Sequence, residues 1–259
     1  MKTLTTILGA TLFLASCNTN PKNAQETNGT ADSVEYTIRS FYKTSTECQK
    51  DTCGAYVKAT YPEFKSKDLN DYIDGILTNQ SKKEISLEVA ADSFLNDYLK
   101  FKKEYPESSA GNEWIQSIKV SNQQSDLLGI AHENYLFTGG AHGLETIIYY
   151  NYLVKEKQTV KIKDIIKEGG YAKLETVAEE IFRKNEKLSP TESLAGNYFF
   201  EGDKFSLNDN FLITTEGLLF TYNPYEIKAY AFGSTNLLIP YDRISDIVNP
   251  NSILANNIK

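Results

Sequence analysis

Histidine, cysteine, tryptophan and methionine are scarce in this 259-residue chain, which holds two, three, one and one of them. Neither His132 nor His142 stands at metal-ligand spacing to another soft ligand, so no metal and no cofactor is expected. Gly-x-Ser-x-Gly, HExxH and phosphate-loop patterns are missing too. Their absence removes the serine-hydrolase elbow, the zinc-protease helix and the nucleotide cradle. Basic residues are too few to suggest nucleic acid: 27 Lys and Arg stand against 34 Asp and Glu, a net charge of -7. The N-terminal apolar run extends only from Ile7 to Leu14. A membrane-spanning helix needs roughly 20 residues.

That run does fit export. Lys2 supplies a charged start, Ile7 to Leu14 an apolar core, and Leu14-Ala15-Ser16-Cys17 matches the lipobox of bacterial lipoproteins. Residues 1–17 then read as a signal with its lipidation site. Cys17 becomes a lipid anchor in the cell envelope, at the outer membrane or periplasmic face. Several acyl chains hold well, because each buried CH₂ contributes about 0.8 kcal/mol. Cleavage removes Lys2 and leaves 26 basic against 34 acidic residues, a charge of −8 that suits a basic partner. Cys48 and Cys53 remain, an even pair in an exported chain, and are expected to form a disulfide at the tip of a hairpin.

Residues 18–33 are polar and read as a tether. Folded sequence starts near Val34, where Val34, Tyr36 and Ile38 alternate with polar residues as in a half-buried strand. A second strand, Ala55 to Tyr61, is expected to end at Pro62. Ser66 caps a helix with a stripe at Leu69, Tyr72, Ile73, Ile76 and Leu77. A second helix runs from about Ser86 to Glu104. Trp114 to Ser121, Leu127 to Phe137, Thr146 to Val154 and Thr159 to Ile162 read as an antiparallel meander. A helix from Tyr171 to about Lys187, strands at Phe211–Thr214, Leu218–Tyr222 and Leu237–Ile239, and a short helix over Tyr241–Val248 complete the chain. Clustered strands and helices predict an α+β fold, antiparallel sheets packed with amphipathic helices, in two parts, residues 34–155 and 156–259, that pack as one unit.

Two features carry candidate chemistry. Gly139-Gly140-Ala141-His142-Gly143 lies between two strands, and its glycines imply positive φ or a close approach. His142 there reads as a brace that joins the loop to a neighbouring strand through both ring nitrogens. The competing reading is a general base of a cell-wall hydrolase or esterase. His132 and Glu133 alternate on a strand and face opposite ways, so they cannot act as a pair. The second feature is an aromatic group, Tyr222, Tyr225, Tyr230 and Phe232, closed by Gly233, which offers rigid contact area with polar tips.

Larger blocks carry a resemblance. Tyr135-Leu-Phe-Thr-Gly-Gly-Ala-His-Gly143, Tyr150-Asn-Tyr-Leu-Val154 and Val160-Lys-Ile-Lys-Asp-Ile165 form one block. Phe211 to Phe220, Asn223-Pro-Tyr-Glu-Ile227, Ala229-Tyr-Ala-Phe-Gly233 and Ile239-Pro-Tyr241 form another. Together they resemble the lysozyme-binding extracellular part of an anti-sigma-V factor (the RsiV-like family), and the non-catalytic N-terminal part of a peptidoglycan deacetylase. The resemblance spans Val34 to Ile247. It implies a non-enzymatic binding module for a lysozyme-like protein or peptidoglycan, with Gly139, Gly140, His142, Tyr225, Tyr230 and Gly233 as its binding or structural motif. The chain departs from those relatives in carrying a lipobox instead of a membrane helix, and in lacking both a sigma-binding segment and a deacetylase module. A structural envelope protein is the remaining alternative.

Anchoring through Cys17 has a direct test. Cys17→Ser should move the protein from the membrane to the soluble fraction and abolish lipid labelling; membrane association that persists unchanged contradicts the lipobox.

Overall fold

The computed structural model describes residues 33–45, 54–79 and 85–256. Cys17, Cys48, Cys53 and nearly all of the tether lie outside the described residues, and so do the lipid-anchor and disulfide expectations.

A six-stranded sheet, in chain order, dominates the first part. Its strands are β1 (Tyr36–Thr44), β2 (Ala55–Phe64), β3 (Asn112–Gln124), β4 (Leu127–Phe137), β5 (Leu144–Leu153) and the short β6 (Gln158–Thr159). All neighbours are antiparallel except β2 and β3, where Ala55–Thr60 runs parallel to Asn112–Ser117. Between those two strands the chain forms α1 (Lys67–Leu77) and α2 (Leu87–Glu104). This crossover is long enough to bring β3 in alongside β2 in the same direction. Ser66 and Ser86 cap the helices by accepting from the amides of Leu69 and Val89. Leu69, Ile73, Ile76 and Leu77 of α1 pack with Ala59, Ile118, Leu128, Ile130 and Tyr152. Ala91, Leu95 and Tyr98 of α2 pack with Ala55 and Val57.

The second part is a three-stranded antiparallel sheet, β7 (Phe211–Ile213), β8 (Gly217–Tyr222) and β9 (Thr235–Pro240). After a single turn, α3 (Ile162–Ile165), comes α4 (Tyr171–Asn185), whose Leu174, Val177, Ala178 and Phe182 share a core with Leu218, Phe220, Leu237 and Ile239. Phe182 is fully buried and meets the rings of Tyr198 and Phe205 at a centroid distance of 5.2 Å and that of Phe200 at 5.5 Å. Such aromatic pairs add to what area burial alone contributes.

Five local expectations are corrected. Ile38 is 47% exposed, because β1 is an edge strand and Phe41, not Ile38, turns toward the helices. Pro62 does not stop β2. The parallel partner ends its pairing at Thr60, so beyond it the strand has a neighbour on one side only and tolerates a residue without N–H. The polar stretch after Ser121 continues β3 to Gln124 through a bulge at Val120/Asn122. What remains is a tight turn with Ser125 at φ 52°. The strand expected to reach Ile162 ends at Thr159, because the Asp164 carboxylate accepts from the Lys161 amide and starts α3 there. Tyr241–Val248 is not one helix but two 3₁₀ turns, Tyr241–Arg243 and Ser245–Ile247. Here backbone groups bond to the chain around the end of α3: the amide of Lys167 donates to Ile247 O, and that of Asn249 to Ile165 O.

Three asparagines join the two sheets. β6 pairs only with Tyr152 and Leu153, so among the described residues no strand is paired with the rest of the β5 edge. Asn151, on β5 and 1% exposed, donates to Phe211 O and accepts from the amide of Ile213, both at 2.8 Å. Asn210 accepts from the amide of Tyr149 at 2.9 Å and donates to Ile147 O at 2.8 Å. Asn223 accepts from the amide of Ile147 at 2.7 Å and donates to the same residue's carbonyl at 3.1 Å. Each side-chain amide stands in for a strand's backbone. Asn151→Ala leaves a buried carbonyl and a buried N–H unpaired, so we expect a loss of roughly 2–4 kcal/mol in denaturant unfolding. A change below about 0.5 kcal/mol, the size of an ordinary surface substitution, would mean that the sheets are held by other contacts.

Candidate functional site

The hairpin loop between β4 and β5 is built by its glycines. Gly139 and Gly140 sit at φ 100° and 96°. That region is closed to β-branched residues. Gly143 is needed for space: a Cβ there would lie 2.5 Å from the ring of Tyr135. The loop therefore folds back against β4 and turns His142 outward, where it is exposed. The brace is more local than expected. His142 Nδ1 reaches the carbonyl of the adjacent Gly143 at 3.0 Å and bonds to no neighbouring strand. Since a carbonyl only accepts, Nδ1 carries a proton, and in a neutral ring Nε2 then offers a lone pair.

The other half of the site comes from the β8–β9 connection. Asn223, fixed on Ile147, starts the turn Asn223-Pro224-Tyr225-Glu226, closed by the amide of Glu226 donating to Asn223 O at 3.1 Å. Tyr225 stands at φ 71° and is 53% exposed. This is left-handed backbone, uncommon for a bulky residue. A 3₁₀ turn at Tyr230–Phe232 follows, ended by Gly233 at φ 66°, and presents Tyr230 and an exposed Phe232.

These pieces converge. The His142 imidazole stacks on Tyr230 with centroids 3.7 Å apart and planes 11° from parallel. Tyr225 lies 5.5 Å from Tyr230 and 6.4 Å from His142, with its hydroxyl 3.5 Å from His142 Nε2. Cross-strand partners Leu136 and Leu144, each 40% exposed, flank the loop. Gly139, Gly140, His142, Tyr225, Tyr230 and Gly233 thus belong to one corner of the molecule. Sequence reasoning missed the residues that bring it together, Asn210 and Asn223. Asn210 stood in the sequence only as an isolated amide beside an apolar strand, and Asn223 only as the first residue of the Asn223-Pro-Tyr-Glu-Ile227 motif.

His132 is elsewhere. It is 8% exposed on β4, Nε2 lies 2.8 Å from Gln116 Oε1, and Gln116 donates on to Leu77 O. Burial pushes its pKa down to about 4, which keeps the ring neutral. Glu133 points the other way, to Lys119 at 2.6 Å. Among the described residues no group of three or more His, Cys, Asp or Glu side chains could hold a metal. Among them, too, no helix is long and apolar enough to cross a membrane.

Known proteins match in two regions. A family model described as a protein of unknown function (DUF3298) matches residues 163–242, and one described as deacetylase PdaC matches residues 46–145. Tyr225 and Tyr230 lie in the first region and His142 in the second, so the cluster is assembled across both. No curated protein matches the chain. The crystal structure of a DUF3298-family member from Bacteroides fragilis superposes with a TM-score of 0.72 at 19% identity, covering 87% of this chain and 98% of that one. A DUF3298-family protein from Pseudomonas aeruginosa gives 0.68 at 21% identity, covering 85% and 96%. At that identity they show the fold, mixed α+β with mostly antiparallel sheets. The resemblance read from the sequence is met at this coarser level, as DUF3298 and PdaC regions on a DUF3298-type fold.

The loop geometry orders two substitutions. Gly140→Val should destabilise by about 1–3 kcal/mol, because a β-branched residue is strained at that φ. His142→Ala, which removes two hydrogen bonds of an exposed ring and a stack, should lower stability by only about 1 kcal/mol. Thermal unfolding of both variants checks the order; a larger loss in His142→Ala would reverse it.

Proposed function

We propose that this chain is an envelope lipoprotein whose α+β domain is a non-enzymatic binding module, and that a basic, lysozyme-like protein is held at the His142–Tyr225–Tyr230 cluster. One observation carries this reading. Motif residues from two separately matched regions meet on the surface, and one of them, Tyr225, is kept exposed at φ 71°. Strain of this kind costs about 1–3 kcal/mol and persists where the surroundings enforce it, most often at active sites and ligand contacts. Tyr225, exposed, and Tyr230, half-buried beside it, are of a residue type enriched in protein hot spots. The acidic chain favours a basic partner through long-range attraction. Peptidoglycan is the second ligand class, favoured by the flat Tyr225 face, on which a sugar ring can rest.

The hydrolase or esterase reading asks more of His142 than its surroundings supply. Among the described residues its polar contacts are a backbone carbonyl and a tyrosine hydroxyl, neither a carboxylate orienter nor a Ser or Cys nucleophile. The deacetylase of the second family model lends its name to a region of this chain and not to an activity we assign.

Tyr225→Gly separates binding from folding, since glycine accepts the left-handed backbone without steric cost. The mature chain should capture lysozyme from solution, and Tyr225→Gly should weaken that capture by roughly tenfold or more with the melting temperature unchanged or higher. Capture of peptidoglycan fragments but no lysozyme would favour the glycan. Unaltered binding by the variant would move the site elsewhere.

A further inference from the structure

The cluster contains a titratable ring whose two nitrogens meet different partners. We propose that His142 is a proton switch that sets the hydrogen-bond polarity of the Tyr225 hydroxyl, so that the surface holds a cationic partner when the ring is neutral and releases it when the ring is protonated. This rests on the binding reading above and adds its regulation.

The Gly143 carbonyl, 3.0 Å from Nδ1, keeps the proton of the neutral ring on that nitrogen. Nε2 is then a lone pair, and the Tyr225 hydroxyl 3.5 Å away can only donate to it. With its hydrogen turned inward, Tyr225 Oη shows solvent its own lone pairs, an acceptor suited to Lys or Arg of a basic partner. Protonation puts a second N–H on the ring while Nδ1 keeps its carbonyl. Nε2 now donates, Oη accepts from it, and the phenolic hydrogen swings outward. A hydrogen bond from a charged donor is stronger than one between neutral groups, so this orientation of the hydroxyl is held firmly. The imidazole already lies flat on Tyr230 at 3.7 Å. Both changes act in one direction: the surface loses an acceptor and gains a cation.

Other charges near the ring do not duplicate this behaviour. On its own hairpin stand Glu145, exposed at the start of β5, and Tyr135, whose ring lies against Gly143. On the β8–β9 connection stand Tyr225, Tyr230, Glu226 and Lys228. Glu226 accepts from the side-chain amides of Asn208 and Asn223, and Lys228 is paired with Glu186 at 3.0 Å. Histidine is the side chain whose ordinary range falls between about pH 5 and 8, whereas carboxylates and tyrosines ordinarily titrate outside it.

Two measurements on the full mature chain test the switch. In the first, ¹⁵N-imidazole NMR without any partner should show the Nδ1–H tautomer for His142 at about pH 8, and Tyr225 ring resonances should shift together with the His142 titration. An Nε2–H tautomer, or Tyr225 signals indifferent to that titration, overturns the proposal. In the second, affinity for lysozyme should fall about fivefold or more from pH 8 to 5.5, a typical size for linkage between two ligands, here proton and protein. In His142→Gln, which cannot gain a proton, and in Tyr225→Phe, which has no hydroxyl to turn, the dependence should flatten. A His142→Gln variant with the full wild-type dependence overturns the switch. If lysozyme does not bind at all, the partner reading fails, and the NMR titration still decides the switch.

Discussion

The free edge of β5 is the constraint on which the rest of this molecule depends. A strand in the middle of a domain cannot leave its backbone groups unpaired, yet β6 covers only its last two residues. Asn210 and Asn223 close the gap with side-chain amides, each presenting a donor and an acceptor much as a strand would, and Asn151 of β5 does the same for the outer edge of β7. Through these bonds the six-stranded and three-stranded sheets become one structure. An asparagine suits the task because its amide has the donor–acceptor pair of a peptide group on a short stem that loses little rotamer entropy on ordering.

The aromatic corner follows from that joint. Asn223 both seals Ile147 and begins the turn that carries Tyr225, so the position of Tyr225 relative to the β4–β5 loop is set near the start of β5. His142 is placed independently by Gly139, Gly140 and Gly143. Neither half forms a surface alone: the imidazole needs the Tyr230 face, and Tyr225 needs the loop beside it. The two halves are also those matched by different family models, so the aromatic corner is assembled across both regions.

The two histidines show how surroundings divide one chemistry. His132, bonded to Gln116 beneath α1, is kept neutral by burial and serves the core. His142, in the loop beyond the last paired residue of β4, is exposed and meets the solvent directly. Among the described residues the contacts they make are with amide, carbonyl and phenol groups.

Much was determined by the sequence itself. Residue periodicity located α1, α2 and α4 and most strands to within a few residues, because amphipathic stripes and serine caps act over short stretches of chain. The three glycines marked the His142 loop for the same local reason. What only the tertiary structure decided lies between segments far apart in the chain. The parallel β2–β3 pairing, the continuation of β2 through Pro62 and the two 3₁₀ turns after β9 each depend on which neighbour a backbone group finds. So does the role of His142, which local sequence cast as a brace and which the fold sets outward against Tyr230. Asparagine is the plainest case. In sequence it reads as a turn former. Only the facing edges of β5 and β7 make Asn151, Asn210 and Asn223 the bonds that hold the fold and its site together.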